Sequence, residues 1–416
     1  MGPRLAVLAW RNLWRNRRRT LLTLASIGFG LLLAVMFTAL QDRNFADMID
    51  IAARMGGGHV SLQHPEYNDT PTLTRTVQDT DALVEVSEAD PYVDKAMVRI
   101  QGQAMAATAG RNLGVFFMAV DPTREDEHTF QLSKGLVEGS WIDGPDDPGL
   151  LLGRRLAELL KVELGGKVVY TLVDKQGEIV SGVGRVKGLV STGAPSADAG
   201  IVILGLDTVR EVLGYAPDEA TTVALFAKDP RRVRAMRDAL VAAGLPEGVA
   251  ALTWDEVQPD LSAFIAMKVG GARFMELVIM ILVAASIFNT LFVSVLERTR
   301  EFGILLAIGY SPMQLFRLVV WESGWLGLVG VVAGGVVTAP LYFWLATHPI
   351  DVSAMTGTDE ALEVAGVGMP PELRIGIFPE NLALIAIFVV GATLLAGLYP
   401  AWRAGRVEPV EAINLA

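Results

Sequence analysis

The chain has 416 residues, of which 51% are hydrophobic and 19% charged, with a net charge of −11 and no cysteine. Soluble domains typically carry about 25% charged residues, so this composition predicts a few membrane spans joined to a sizeable water-exposed domain. It excludes a disordered or collagen-like chain, disulfides, thiol nucleophiles and cysteine-ligated metal sites. The acidic balance also argues against bulk nucleic-acid binding.

Four stretches are long and apolar enough to cross a bilayer as helices, since about 20 residues suffice. They are residues 20–40, 275–296, 315–346 and 382–400. The first is uncharged, exceeds the length of a signal-peptide core, and has no small-residue cleavage site before Gln41. We therefore predict a retained anchor.

Basic residues near the span ends predict the orientation. Six arginines and no acid precede Thr20, and the tail 401–416 begins with further arginines. The loop 347–381 holds one basic residue among six acids. Both termini are thus expected in the cytoplasm, with residues 41–274 outside. That segment contains 23 Lys and Arg and 34 Asp and Glu, so it carries the whole net charge.

Residues 41–274 show an α+β pattern with mostly short strands. Helical spacing continues from the first span to Gly56, which predicts a stalk helix, and a second stalk precedes the second span, with Gly270 and Gly271 as a hinge. We predict strands at 59–63, 95–101, 116–120, 167–173, 182–190 and 200–204, and helices at 150–160, 207–213 and 230–243.

Two cytoplasmic segments also have a helical pattern. The pattern of residues 1–19 predicts an interfacial helix over residues 5–19. This helix either binds anionic lipid as a topology signal or docks a partner. In the segment 297–314, the sequence predicts a short helix that ends at Gly309. Ser311 and Pro312 then supply an N-cap and a first-turn proline for the third span.

Catalytic motifs do not emerge. We find no phosphate-binding loop, no H-E-x-x-H and no G-x-S-x-G. His59 and His64 would point to opposite faces of a strand, which argues against a metal pair. We therefore predict a non-catalytic chain that binds no metal and no cofactor itself.

Polar residues inside the spans are the remaining candidates. Glu322 is either a functional intramembrane carboxylate or a boundary residue that reaches water or pairs with Arg317. Asn289 and Thr290 are expected to make interhelical hydrogen bonds. The glycines of LGLVGVVAGG favour close helix packing.

Several segments resemble one family. FNTLFVSVLERTREFGILLAIGYSPMQLFRLVVWES, starting at Phe288, resembles the core of the FtsX-like permease superfamily, which includes MacB and the LolC/LolE type. LAWRNLWRNRRRTLLTL and YPAWRAGRVEPVEAI resemble its start and end. GGGHVSLQHPEY, MAVDPTRE, LLGRRLAELLKVELGGKV and TWDEVQPDL resemble the lipoprotein-release branch. The resemblance covers essentially the whole chain and implies four transmembrane helices with a large α+β extracytoplasmic domain inserted between the first two.

The resemblance implies a permease subunit of an ABC transporter in the bacterial inner membrane. Such subunits pair with a second permease copy, as a homodimer or heterodimer, and bind two copies of an ABC ATPase that holds ATP and Mg. The family's coupling helix maps onto one short run, so the expected ATPase contacts are Glu297, Arg298, Arg300, Glu301, Phe302 and Gly303.

The lipoprotein-release branch further implies a lipoprotein substrate that is passed to a periplasmic carrier. Acyl chains would enter between the first two spans, at Val35, Met36, Phe37, Leu40, Phe274, Val278 and Leu282. Two alternatives stay open: MacB-like efflux of peptides or amphiphiles, and an FtsX-like transmitter that regulates cell-wall hydrolases. The chain starts 19 residues before its first span, without a fused ATPase domain, which favours a separate ATPase subunit.

Overall fold

The computed structural model describes residues 2–351, 362–364, 367–369 and 372–406. The chain divides into two compact units. We call them the helical unit, drawn from residues 1–44, 267–350 and 372–416, and the inserted unit, drawn from residues 45–266 and 351–371.

Helices and strands are numbered in chain order. The helices are α1 (Gly2–Arg15), α2 (Arg17–Met55), α3 (Thr80–Glu88), α4 (Arg154–Leu160), α5 (Pro195–Asp198), α6 (Leu206–Leu213), α7 (Val233–Ala243), α8 (Trp254–Val257), α9 (Pro259–Glu297), α10 (Thr299–Ala307), α11 (Pro312–Thr347) and α12 (Pro379–Ala404). The strands are β1 (Val60–Gln63), β2 (Val93–Ala107), β3 (Asn112–Val120), β4 (Leu136–Gly139), β5 (Gly149–Gly153), β6 (Lys167–Val173), β7 (Ile179–Val190), β8 (Ile201–Gly205), β9 (Thr222–Ala227), β10 (Ala250–Thr253), β11 (Ile350–Asp351), β12 (Leu362–Val364), β13 (Val367–Met369) and β14 (Glu372–Leu373).

In the helical unit, α2, α9, α11 and α12 each have the length and apolarity of a membrane span. Their shared core includes Ile27, Ile287, Leu326 and Ile385. Helices α2 and α11 approach closely, because a Cβ atom added at Gly334 would lie 3.0 Å from the Cα atom of Gly28. The glycine-rich stretch of α11 thus serves close helix packing, as its sequence predicts.

Three boundaries differ from the sequence predictions. The helix expected over residues 5–19 breaks at Asn16, so the last three arginines of that run open α2 instead. The fourth span, predicted to end at residue 400, continues to Ala404, because Pro400 removes its own N–H donor but not those of the following residues. The expected hinge at Gly270 and Gly271 lies inside the uninterrupted helix α9.

The inserted unit contains a four-stranded antiparallel sheet in the order β10-β1-β9-β2. Helix α3 connects β1 to β2 and α7 connects β9 to β10, which is a split β-α-β arrangement. Leu83 of α3 and Met236 of α7 pack with Val60 and Leu225 of the sheet in one buried cluster.

Strand β2 is 15 residues long and continues from this sheet into a second structure. There the pairings close a ring in the order β2-β3-β8-β5-β7-β6 and back to β2. Phe117, Leu150, Val168 and Val202 from four of these strands belong to one buried core. The observed α+β architecture agrees with the fold class expected from the sequence.

The helix predicted over residues 150–160 is wrong in its first part. Gly149–Gly153 forms β5, and only Arg154–Leu160 is helical. Leu150 and Leu152 are completely buried between strands β7 and β8. A strand buried on both faces shows a continuous apolar run, which periodicity alone does not distinguish from helix. Helix α3 and strands β4, β9 and β10 were missed as well.

Candidate functional site

The short helix α10 is bounded by the signals that the sequence contains. Helix α9 ends at Glu297, and α10 begins at Thr299 after a turn at Arg298. Gly309 then takes a φ of +103°, which favours glycine. Ser311 and Gln314 form a capping box at the start of α11, where the Gln314 side chain accepts from the Ser311 N–H at 2.7 Å.

One side of α10 is packed against the rest of the helical unit. Phe302 is completely buried with Val295, Leu315 and Ala401. Its neighbour Gly303 is also buried. Two of the six expected ATPase contacts therefore serve packing in this chain.

A polar network joins α10 to α1 and α11, and we call it the inner network. Arg298, which is 11% exposed, donates to Glu322 at 2.7 Å and to Glu301 at 3.1 Å. The amide of Asn12 donates to the second oxygen of Glu322 at 2.8 Å. A carboxylate of the third span is thus held by α1 and by the turn that leads into α10.

The pairing of Glu322 with Arg317, one of the two boundary interpretations, is wrong. Five residues correspond to about 140° around a helix, so the two side chains leave different faces of α11. Asn12 and Arg298 are remote in sequence, and periodicity contained no signal that they meet Glu322.

The network extends to two further ion pairs. Arg15 pairs with Glu301, and Arg19 pairs with Glu297 at 3.0 Å. Partial burial disfavours the ionised Glu301, but hydrogen bonds from Arg298 and Arg15 outweigh this and hold the pKa of Glu301 below its ordinary value. Arginines of the first 19 residues therefore bind the acids of the predicted coupling segment.

The other side of α10 is exposed. Arg300 is exposed, as are Ile304 at 46% and Ile308 at 68%. Residues spaced by four lie along one helix face, and Ile308 directly follows the last residue of α10. We call these three exposed side chains the α10 outer row. Sequence reasoning found Arg300 but missed the two isoleucines. Their spacing from Arg300 was the available signal.

Helix α1 is packed on α11. The indole N–H of Trp325 donates to the Ala6 carbonyl at 3.1 Å, and the rings of Trp10 and Trp325 meet edge to face at 5.3 Å. Ala9 is completely buried. The N-terminal helix is therefore structurally joined to the same network as α10.

The expected acyl-chain residues do not share one environment in the single chain. Val35 is buried in the helical core together with Met280. Met36, Phe37, Leu40 and Val278 are half-buried. Phe274 and Leu282 are exposed at 66% and 65%. Of the seven residues, only these last two present most of their surface outward.

The expected interhelical bonds of Asn289 and Thr290 do not form within the chain. The Thr290 hydroxyl donates back to the Ser286 carbonyl of its own helix at 2.9 Å. Asn289 is exposed, and its side chain makes no hydrogen bond to any residue that the structure describes.

In the inserted unit, Arg99 forms a buried junction that sequence reasoning missed. Its guanidinium is fully buried and binds both oxygens of Glu125, at 2.8 and 3.0 Å. It also donates to the Thr129 carbonyl at 2.6 Å and to the carbonyl of Gly56, directly after α2. Strand β2 is thereby joined to the end of the first long helix.

Comparisons with known proteins found one family match and several similar chains. Residues 273–409 match the FtsX-like permease C-terminal family. The chain is 26% identical to the lipoprotein-releasing system transmembrane protein LolC of Neisseria meningitidis, over 95% of this chain and 94% of LolC. It is 23% identical to the pyoverdine export ATP-binding/permease protein PvdT of Pseudomonas fluorescens, over 98% of this chain and 58% of PvdT. The periplasmic region of MacB from Actinobacillus actinomycetemcomitans aligns over 50% of this chain and 94% of that structure, with 11% identity and a TM-score of 0.35.

Four helices long and apolar enough to span a membrane, an α+β domain between the first two and a short helix between the second and third are the architecture of this chain. Residues 273–409 form an FtsX-like permease C-terminal domain, and the chain is similar over nearly its whole length to a membrane subunit of this kind.

Proposed function

We propose that this chain is the permease subunit of a lipoprotein-releasing ABC transporter, driven by ATP hydrolysis in a separate ATPase subunit. The observation that carries the coupling part is α10, whose outer row is exposed while its inner side is fixed by Phe302 and the inner network. A rigidly held helix with an exposed apolar and basic row is suited to receive force from a docked protein.

Arg300, Ile304 and Ile308 are the proposed ATPase contacts. Glu297, Arg298 and Glu301 act behind them, because their charges are engaged by Arg19, Glu322 and Arg15 within the chain. ATP and Mg would be held by two copies of the ATPase, and this chain would take no catalytic part.

Motion would travel along the long helices. Helices α2 and α9 each contain 39 uninterrupted residues, which is about 58 Å at 1.5 Å per residue. A bilayer core is only about 30 Å thick. Each helix therefore has the length to carry movement from the inner membrane face to the inserted unit. The arginines of α1 and α10 support the orientation with both termini in the cytoplasm.

The lipoprotein substrate and a periplasmic carrier are proposed from the LolC relatives and from the acyl-chain residues. Phe274 lies on α9 directly before the second span, Leu282 lies in the outer half of that span, and both are exposed, so they would contact an acyl chain there. The other five expected residues would stabilise the packing behind them. Burial of an acyl chain contributes about 0.8 kcal/mol of binding free energy per CH₂ group. Extraction therefore requires a continuous apolar path that keeps the acyl chain out of water.

Site-specific photo-crosslinking tests the substrate. A photoreactive residue at Phe274 or Leu282 is expected to trap a lipoprotein in cells, whereas one at the equally exposed Leu395 of α12 is not. Lipoproteins that stay correctly sorted after depletion of this chain would rule the substrate out. The PvdT relative keeps efflux of a small amphiphile as the second candidate, and crosslinks to such a molecule alone would favour it.

A further inference from the structure

Four aromatic side chains form a continuous row on the ends of α9 and α12 that the proposed orientation places at the cytoplasm. Phe288 and Phe292 stack one turn apart on α9, with ring centroids 5.8 Å apart and an angle of 7° between the rings. Tyr399 of α12 contacts these rings at 6.1 and 5.8 Å, and the ring of Trp402 lies 6.0 Å from that of Tyr399. We call these four residues the aromatic row.

The aromatic row faces away from the core of the helical unit. Phe288, Tyr399 and Trp402 keep 37%, 46% and 46% of their surface exposed. Val295 of α9 and Ala401 of α12 belong to one buried cluster, so the two helices are held together at this end. The row is therefore a surface fixed by buried packing, on helices that have the length and apolarity of membrane spans.

The row ends at an arginine that its last ring orients. The guanidinium of Arg406 lies over the ring of Trp402, 4.2 Å from the ring centroid. A planar guanidinium that stacks by its face keeps its N–H donors in the plane, where a phosphate accepts two of them at once. Arg406 is exposed, and no side chain among the described residues accepts from these donors.

The charges around Arg406 fit an anion. Arg403 lies one turn earlier and is also exposed, whereas Glu380, the acid of α12, lies in the first turn at the opposite end of that helix. Glu297, the last residue of α9, is paired with Arg19. A ligand that is anionic at one end and apolar along its length therefore matches both the arginines and the aromatic row.

We infer that the aromatic row and Arg406 bind one anionic phospholipid, with its phosphate on Arg406 and an acyl chain along Trp402, Tyr399 and Phe292. Basic sites beside spanning helices on the cytoplasmic side suit anionic headgroups, and aromatic rings are enriched where a helix leaves the bilayer. The proposed orientation places this lipid in the inner leaflet. The inference goes beyond the proposed function and holds for any substrate that the transporter carries.

Lipid binding to the purified full chain in detergent tests the site. The probes are phosphatidylglycerol, which is anionic, and phosphatidylcholine with the same acyl chains, which has no net charge. Bound lipids are counted by native mass spectrometry, and we expect phosphatidylglycerol to bind more tightly. Glycerol 3-phosphate carries the phosphate without acyl chains and should not displace the lipid. Displacement would identify a site for free phosphate and would overturn the inference.

Variants locate the bound lipid. Arg406→Gln is expected to weaken phosphatidylglycerol binding about fivefold, which corresponds to about 1 kcal/mol for one basic residue at a lipid headgroup. Arg317→Gln removes an exposed arginine at the start of α11 and should leave binding unchanged. Trp402→Leu should weaken binding, whereas Trp402→Phe keeps a ring beneath Arg406 and should preserve most of it. Equal binding of the two lipids, or equal effects of Arg406→Gln and Arg317→Gln, would contradict the site.

Discussion

At the scale of single residues, the inner network gives Glu322 a defined position. It receives Arg298 and Asn12, and Arg298 in turn binds Glu301. The sequence marked Glu322 as unusual because ionisable residues are rare in spans. Its partners lie 24 and 310 residues away, so no local pattern contained them.

Removing the charge of Glu322 should loosen α10. Glu322→Gln is expected to cost about 1.5–3 kcal/mol of stability, because the largely buried Arg298 loses a charged acceptor. Hydrogen exchange of the α10 backbone should accelerate accordingly. Glu247→Gln, at an exposed position of the inserted unit, is the control and should change nothing. Unchanged α10 protection in Glu322→Gln would show that the network does not hold the helix.

Arg99 should be as sensitive in the inserted unit. Arg99→Met leaves Glu125 buried without its partner, and breaking a buried pair costs about 3–5 kcal/mol. We expect faster hydrogen exchange in β2 and in residues 121–130. Arg234→Met, at an exposed position, should stay within about 0.5 kcal/mol of the wild type. Equal behaviour of the two variants would contradict the junction.

His59 should make the inserted unit sensitive to acid. Burial lowers the pKa of His59, and Arg54 adds to this, while Asp50 opposes it. The unfolded chain then binds a proton at a higher pH than the folded chain, so stability falls as the pH drops below about 6.5, by at most about 1.4 kcal/mol per pH unit. Thermal unfolding at pH 7.5 and 5.5 measures this loss. His59→Gln should have a smaller difference between the two pH values, and an unchanged difference would exclude His59 as its origin.

At the scale of elements, the sequence predicts the ends of helices from local residues. It does not predict which strands pair when they are far apart in the chain. Gly309 and Ser311 predicted the limits of α10 and the start of α11, because caps and positive φ depend on neighbouring residues. The closure of β2 onto β6 links residues more than 60 positions apart, and the sequence held no sign of it. The exposed side of α10 is likewise set by non-local packing, because the burial of Phe302 decides which side faces outward.

The α10 outer row should decide ATPase docking. Ile304→Glu and Ile308→Glu place charges on an exposed apolar contact and are expected to reduce co-purification of the ATPase at least tenfold, which corresponds to about 1.4 kcal/mol. Ile304→Leu and Ile308→Leu keep volume and apolarity and serve as controls. Because both positions are exposed, the chain should still fold. Normal ATPase binding by both charged variants would show that the ATPase docks on another surface.

At the scale of the whole molecule, the acidic balance belongs to one region. Residues 41–274 carry the entire net charge of −11, while the membrane-spanning remainder is neutral and gathers arginines on α1 and around α10. The proposed ATPase would therefore meet a basic face with two exposed isoleucines, and the proposed carrier would meet an acidic domain.

The most direct test of the account is ATP-dependent release from vesicles. The chain, its ATPase and a labelled lipoprotein are placed in one membrane, and the lipoprotein that reaches a soluble carrier is measured with and without ATP. We predict release only with ATP, and loss of release in the Ile304→Glu and Ile308→Glu variants. Release that is equal without ATP, or no release from a complex that hydrolyses ATP normally, would contradict the proposed function.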